Sequence, residues 1–377
     1  MIRRVPAVAR IVSYAPLFMA AVLLHAQTSP GVRPGVPGAG GPISGLTTKE
    51  GKFFSAGLDQ FNEVDTVLTG LGPRFNLNSC AGCHAFPATG GSSPASNPQV
   101  NGNVAPPSQV ATLTGLGLIS GSGPVREVRF RSDGGVHDLF TIVGLPGAPA
   151  GCTISQPTFG QHLSEIIFRI PTPTFGAGLI EAIPDANILA NVGVSKPFGI
   201  TGHENRSGND GTVTRFGWKA QNKSLVIFAG EAYNVEQGIS NEAFPDERGE
   251  GGVQDPTVCL TVPTASDHTN YEQTQPQSVP SDVINFGNFM RFLAPPTPSC
   301  TVGVDCSTSV NNGSGLFDST GCSLCHIRQL QTGNHATAAL QNQTAKLFSD
   351  LLVHNMGNLG DGIAQGGAGP NEFRSAP

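Results

Sequence analysis

The chain has 377 residues, room for two or three domains, with 49 glycines, 30 prolines and only 13% charged residues. Such a composition predicts a folded chain with many turns and excludes wholesale disorder driven by charge repulsion. The formal net charge of −6 argues against nucleic acid or an anionic membrane as partner, while tolerating a basic protein.

Residues 1–26 read as a signal peptide. Arg3, Arg4 and Arg10 precede the apolar stretch Ile11–Leu24, and Ala26 is the small residue before a cut. The stretch is too short for stable membrane insertion, and the protein is expected to be periplasmic or otherwise exported. Losing those three arginines brings the net charge near −9. Residues 27–45 read as a flexible leader.

Residues 46–122 are expected to form a first haem lobe. Phe53, Phe54, Leu58, Phe61, Val64 and Leu68 recur at helical spacing, which predicts a helix over about 48–66, broken at Gly70–Pro73. A Cys80-Ala-Gly-Cys83-His84 motif follows, then a loop over 86–122. Residues 123–281 form a middle region with β segments. Val125, Val128 and Phe130 lie in one strand-like run and Leu139–Val143 in another, with a turn signal at Asp133-Gly134-Gly135 between them. Pro171, Pro173 and Pro184 forbid one helix over 164–194, leaving a short helical turn at Leu179–Ile183. A helix is predicted over Gln221–Glu236 and loop over 245–281. Residues 282–377 read as a second haem lobe: a helix over Val283–Leu293 stopped by Pro295-Pro296, the motif Cys322-Ser-Leu-Cys325-His326, a helix from Thr337 to about Leu352, and an irregular tail from Gly357. The fold class expected is mainly α, with long irregular loops and a few β-hairpins, and two cytochrome c-like lobes around a loop-rich middle.

CxxCH carries chemistry that few other spacings do. Residues i, i+3 and i+4 share one face of a helical turn, so two thiols meet the two vinyl groups of a porphyrin while the imidazole reaches its iron. Two copies among eight cysteines and nine histidines are far beyond coincidence. They predict two covalently bound haem c groups, attached through Cys80, Cys83, Cys322 and Cys325 and ligated by His84 and His326. A zinc site would not need a histidine after each pair, and a thioredoxin-like CxxC would need a βαβ frame that the chain lacks. For the remaining cysteines, Cys152, Cys259, Cys300 and Cys306, three pairings exist; the short spacing favours Cys300–Cys306 and leaves Cys152 for Cys259.

The segments Gly70–His84, Phe175–Asp185, Arg215–Gln221, Phe228–Glu236, Cys322–His326, Phe348–Gly357 and Glu372–Pro377 resemble the bacterial di-haem oxidoreductases, a family carrying peroxidase and thiol-oxidoreductase-like labels and distantly similar to the di-haem cytochrome c peroxidases. The resemblance covers most of residues 48–377. Family members usually run on past this point, so the second lobe is expected to be incomplete. The resemblance implies peroxide reduction at the haem of His84 and electron entry at that of His326, from a small donor cytochrome or a cupredoxin. It also implies an aromatic relay between the haems, for which Trp218 is the candidate against a plain packing role. Calcium is a further candidate cofactor, with Asn209 and Asp210 as its residues.

Met356 and His354 are candidate sixth ligands for the second haem, with Met290 a lesser one that also fits a helix core. Glu231, or Glu236 near it, is the candidate acid–base residue. His137, His162, His203, His268 and His335 sit in no motif. The alternative function is a di-haem electron carrier without turnover of its own; a third is an oxygenase or maturation enzyme acting on a large substrate.

Overall fold

A computed structural model describes residues 38–250, 256–263, 265–296 and 306–377. The signal peptide, most of the leader and Cys300 lie outside these residues. Nine helices are described: α1 (Thr48–Phe61), α2 (Cys80–Cys83), α3 (Pro98–Asn101), α4 (Pro107–Gly115), α5 (Ala177–Glu181), α6 (Asp185–Leu189), α7 (Leu225–Gln237), α8 (Asp282–Phe292) and α9 (Cys306–Ser319). Ten short strands, β1 (Arg74–Phe75), β2 (Glu127–Phe130), β3 (Phe140–Thr141), β4 (Ile166–Arg169), β5 (Asn205–Arg206), β6 (Val213–Thr214), β7 (Leu330–Gln331), β8 (Thr344–Ala345), β9 (Val353–Asn355) and β10 (Glu372–Arg374), form antiparallel pairs β1–β3, β2–β4, β5–β6, β7–β8 and β9–β10. Among the described residues no helix is long and apolar enough to cross a membrane.

The long helices follow local chemistry. Thr47 and Glu50 form a reciprocal capping box at the start of α1. Ser224 caps α7 and Ser281 caps α8, each accepting from the amide three residues on. Gly238 ends α7 in left-handed backbone (φ 68°). The three helices share one core. Phe289 of α8 meets Phe54 and Phe61 of α1 at 5.5 and 4.8 Å between ring centroids, and Tyr233 of α7 meets Phe286 edge-on at 5.0 Å. Leu340, Ala345, Leu351 and Leu352 of the C-terminal region join the same core. A second core gathers Phe75, Leu113, Val128, Phe130, Phe140 and Phe159, clasped by a disulfide between Cys152 and Cys259. The pairing of Cys300 with Cys306 falls outside what is described.

Three sequence expectations are corrected. The helix over Thr337–Leu352 is absent. A 3-10 turn at Ala338–Leu340 leads into the β7–β8 pair, and Asn342, Phe348 and Leu351 take positive φ. Thr332 and Ser349 bind the local backbone and Ser375 instead of leaving it free to wind. The runs around Asp133-Gly134-Gly135 do not pair with each other. The turn forms, but after one bridge from Arg129 to Val136 the strands take distant partners, β4 and β1. Residues 86–122 are no plain surface loop: they contain α3 and α4 and bury Leu113, Leu118 and Ile119.

Candidate functional site

Helix α2 is a single turn that closes with the His84 amide donating to Cys80 O at 3.0 Å. It packs against the first core through Cys80 and Ala81 and forms one wall of a cavity of about 170 Å³. Phe61, Leu77, Phe228, Phe286 and Met290 supply its apolar lining. Glu127, Glu231 and Glu236 supply acids, Arg126, Arg129 and Arg169 supply guanidiniums, and Trp218 stands on the wall with them.

The imidazole of His84 donates from Nδ1 to the Gly91 carbonyl at 2.8 Å. That bond fixes the ring and leaves Nε2 as the ligating atom. Burial holds the imidazole below its usual pKa, so it is neutral, as a metal ligand must be. Burial pushes the thiols of Cys80 and Cys83 well up, reinforced by the charge of Asp65 on Cys80 and of Glu236 on Cys83. A thiol-exchange CxxC requires the opposite shift, so the thioredoxin-like alternative does not fit.

The second motif begins at Gly321 and winds as a 3-10 turn over Cys322–Leu324, with the His326 amide donating to Cys322 O at 2.9 Å. The partner of its imidazole repeats the first site: Nδ1 meets the Phe348 carbonyl at 2.7 Å. This turn is more open, with Cys322 exposed. Phe348 is also edge-on to Phe317 of α9, over which Arg328 lies at 4.8 Å. Two turns that each present two thiols and an oriented imidazole, one of them on a cavity, carry the groups that hold a c-type haem.

Among the acids on the cavity wall, Glu236 is strongly perturbed. Its open side faces the cavity, and Asn76 donates to it at 2.9 Å. Burial, then the charge of Glu127 and a hydrogen bond with it, holds the Glu236 carboxyl well above the ordinary range. Glu127 is in turn ion-paired with Arg129. Glu231 lines the same cavity and accepts from Asn222. Tyr233, also on the wall, donates to Asp282 Oδ2 at 3.2 Å and approaches Asp65 Oδ2 at 3.5 Å; burial raises these two carboxyls to about 7 and about 6.

Trp218 lines the cavity, and its ring meets Phe373 edge-on at 5.9 Å. Its carbonyl accepts from the Arg374 amide at 3.0 Å. The next residue, Ser375, bonds Ser349 at 2.6–2.7 Å, and Ser349 follows Phe348, whose carbonyl holds His326. A hydrogen-bonded strip thus joins the cavity wall to the second imidazole.

The candidate sixth ligands fare differently. His354 is buried in β9 with Nε2 3.0 Å from Asp350 Oδ2, so that nitrogen is already occupied. Met356 is exposed. Met290 is buried and lines the first cavity. Asp210 is ion-paired with Lys223, and among the described residues no group of three or more His, Cys, Asp or Glu lies together to hold a metal ion. Of the unassigned histidines, His137 and His203 bond Asp133 and Glu372 at 3.0 Å, His162 faces Glu165 at 3.9 Å, and His335 accepts from the Thr337 amide at 3.0 Å.

Sequence reading missed Glu127 and the three arginines. Their signal was charge embedded in strand-like apolar runs, Val125-Arg-Glu-Val-Arg-Phe130 and Ile166-Ile-Phe-Arg-Ile170.

The class these features define is a redox protein with two haem-type turns. Residues 159–377, more than half of the chain, match the family described as di-haem oxidoreductase, putative peroxidase, and the chain belongs to that family. The matched span contains Trp218, Glu231, Glu236 and the second motif; the first motif precedes it. No curated protein and no solved structure matched the chain.

Proposed function

We propose that the protein is an exported di-haem c-type oxidoreductase that reduces peroxide at the first site and admits electrons at the second. Cys80 and Cys83 would carry one haem and Cys322 and Cys325 the other, with His84 and His326 as axial ligands in two cytochrome c-like lobes. Haem iron, when bound, supplies the one-electron redox centres. The observation that carries this reading is the contrast between the sites. His84 lies on a cavity that also holds a proton-bearing acid, whereas the second turn is open at Cys322, where a small donor cytochrome or cupredoxin has access.

Peroxide reduction consumes two electrons and two protons and yields two waters. Glu236 keeps its proton because of burial and Glu127, and so stands ready to give one to the leaving oxygen. Glu231 is the second acid within the cavity. The strip from His326 through Ser349 and Ser375 to Trp218 is the proposed route for electrons between the sites.

Peroxide-dependent oxidation of a reduced small cytochrome tests this. Glu236→Gln is expected to lower kcat by about 10²–10⁴-fold with haem content unchanged. Wild-type turnover unaffected by that change would overturn the role of Glu236, and no turnover in the wild type would overturn the peroxidase reading. A second reading is favoured by Met290: a thioether bound at the first iron would make the protein an electron carrier.

A further inference from the structure

We propose that Arg126 and Arg169 hold the two propionate carboxylates of the haem attached at Cys80 and Cys83. This rests on the proposed function, since it needs a haem in the first cavity. A porphyrin carries two anionic carboxylates on one edge, and any that enter the wall of a cavity are costly to bury unless those charges are paired. The cavity lining includes three guanidiniums. Arg126 precedes β2, Arg169 ends β4, and the two strands pair with Glu127 opposite Arg169.

The bonding of the three cavity arginines separates them. Arg129 is satisfied by Glu127 and by the Gly134 carbonyl at 2.9 Å. Arg169 is buried, 4% exposed. Its Nη2 bonds Asp361 at 2.8 Å and its Nη1 bonds Gln365 at 2.7 Å, yet its buried Nε has no acceptor among the described residues. A buried guanidinium donor without a partner is costly, and an incoming carboxylate oxygen would satisfy it. Arg126 is the complementary case. Its guanidinium lies 4.6 Å over the Phe168 ring, which fixes it in place, and no carboxylate pairs with it among the described residues. The acids nearby do not compete: Glu127 is held by Arg129, and Glu236 by Asn76 and Glu127. One unmatched cation and one unmatched guanidinium donor thus face a cofactor with two carboxylates.

The test is spectroelectrochemical titration of the full chain, produced with a cytochrome c maturation system, at pH 5 to 8. The wave of the first haem is identified by its loss in C80S/C83S. In the wild type its midpoint is expected to vary little with pH. Arg126→Gln should lower it by the equivalent of a tenfold change in the reduction equilibrium, about 59 mV for one electron. It should also introduce a pH dependence as the freed propionate titrates, and Arg126→Lys should restore most of the midpoint. Arg169→Gln should act in the same direction. Two haems per chain with both glutamine variants leaving the first wave and its pH profile unchanged would overturn the proposal while leaving the di-haem reading intact. One haem per chain, unchanged in C80S/C83S, would remove that reading and this proposal with it.

Discussion

The imidazoles of His84 and His326 each meet a backbone carbonyl through Nδ1, at 2.8 and 2.7 Å. That repeated detail lies behind the site reading, because it aims Nε2 at a metal before any metal arrives. Titration of single residues gives a separate expectation. Asp282 and Asp65 are raised in the folded chain to about 7 and about 6, against an ordinary value near 3.8. Above pH 4 the folded state therefore holds protons that the unfolded chain has released. The stability they contribute is present at low pH and is lost as pH rises through 6 to 7. Thermal unfolding of the loaded protein is expected to show a lower Tm at pH 8 than at pH 5.5, and Asp282→Asn should flatten that slope; an unchanged slope would contradict the account. At this scale the sequence was informative where chemistry is contiguous, at the two CxxCH motifs. It was silent on Glu127 with Glu236, because a strand and a helix far apart in the chain bring them together.

Helices α7 and α8 both line the first cavity, and neighbouring backbone approaches each of them closely. A Cβ on Gly178 of α5 would lie 1.9 Å from the Arg291 carbonyl. At Gly238, positive φ is combined with a Cβ position 2.2 Å from the Arg74 carbonyl. In both places backbone would have to move. Gly178→Ala is expected to cost about 1–3 kcal/mol of stability, read by denaturant unfolding; a variant as stable as the wild type would contradict the packing described. Helices α1, α7 and α8 were legible because each couples an apolar period to a serine or threonine cap. The helix expected over 337–352 does not form. Leu340 faces the core from a 3-10 turn and Leu347, Leu351 and Leu352 from irregular chain, and Ser349 and Asp350 bond the C-terminal Ser375. That pairing is long-range and leaves no local trace.

At the scale of the whole molecule, the described residues form two main cores, and a covalent link braces the second. The Cys152–Cys259 disulfide spans 107 residues of chain within the second core. Cys152→Ser is expected to lower stability by about 2–5 kcal/mol under oxidising conditions, with the difference vanishing in the presence of reductant. Equal stability of variant and wild type without reductant would contradict a role for this bridge. The central claim concerns the division of labour between a walled haem site and an open one, and low-temperature electron paramagnetic resonance of the air-oxidised protein tests it most directly. The account predicts a high-spin ferric signal beside a low-spin one, with the high-spin signal lost in C80S/C83S. Two low-spin signals that persist after partial reduction would contradict it and leave an electron carrier.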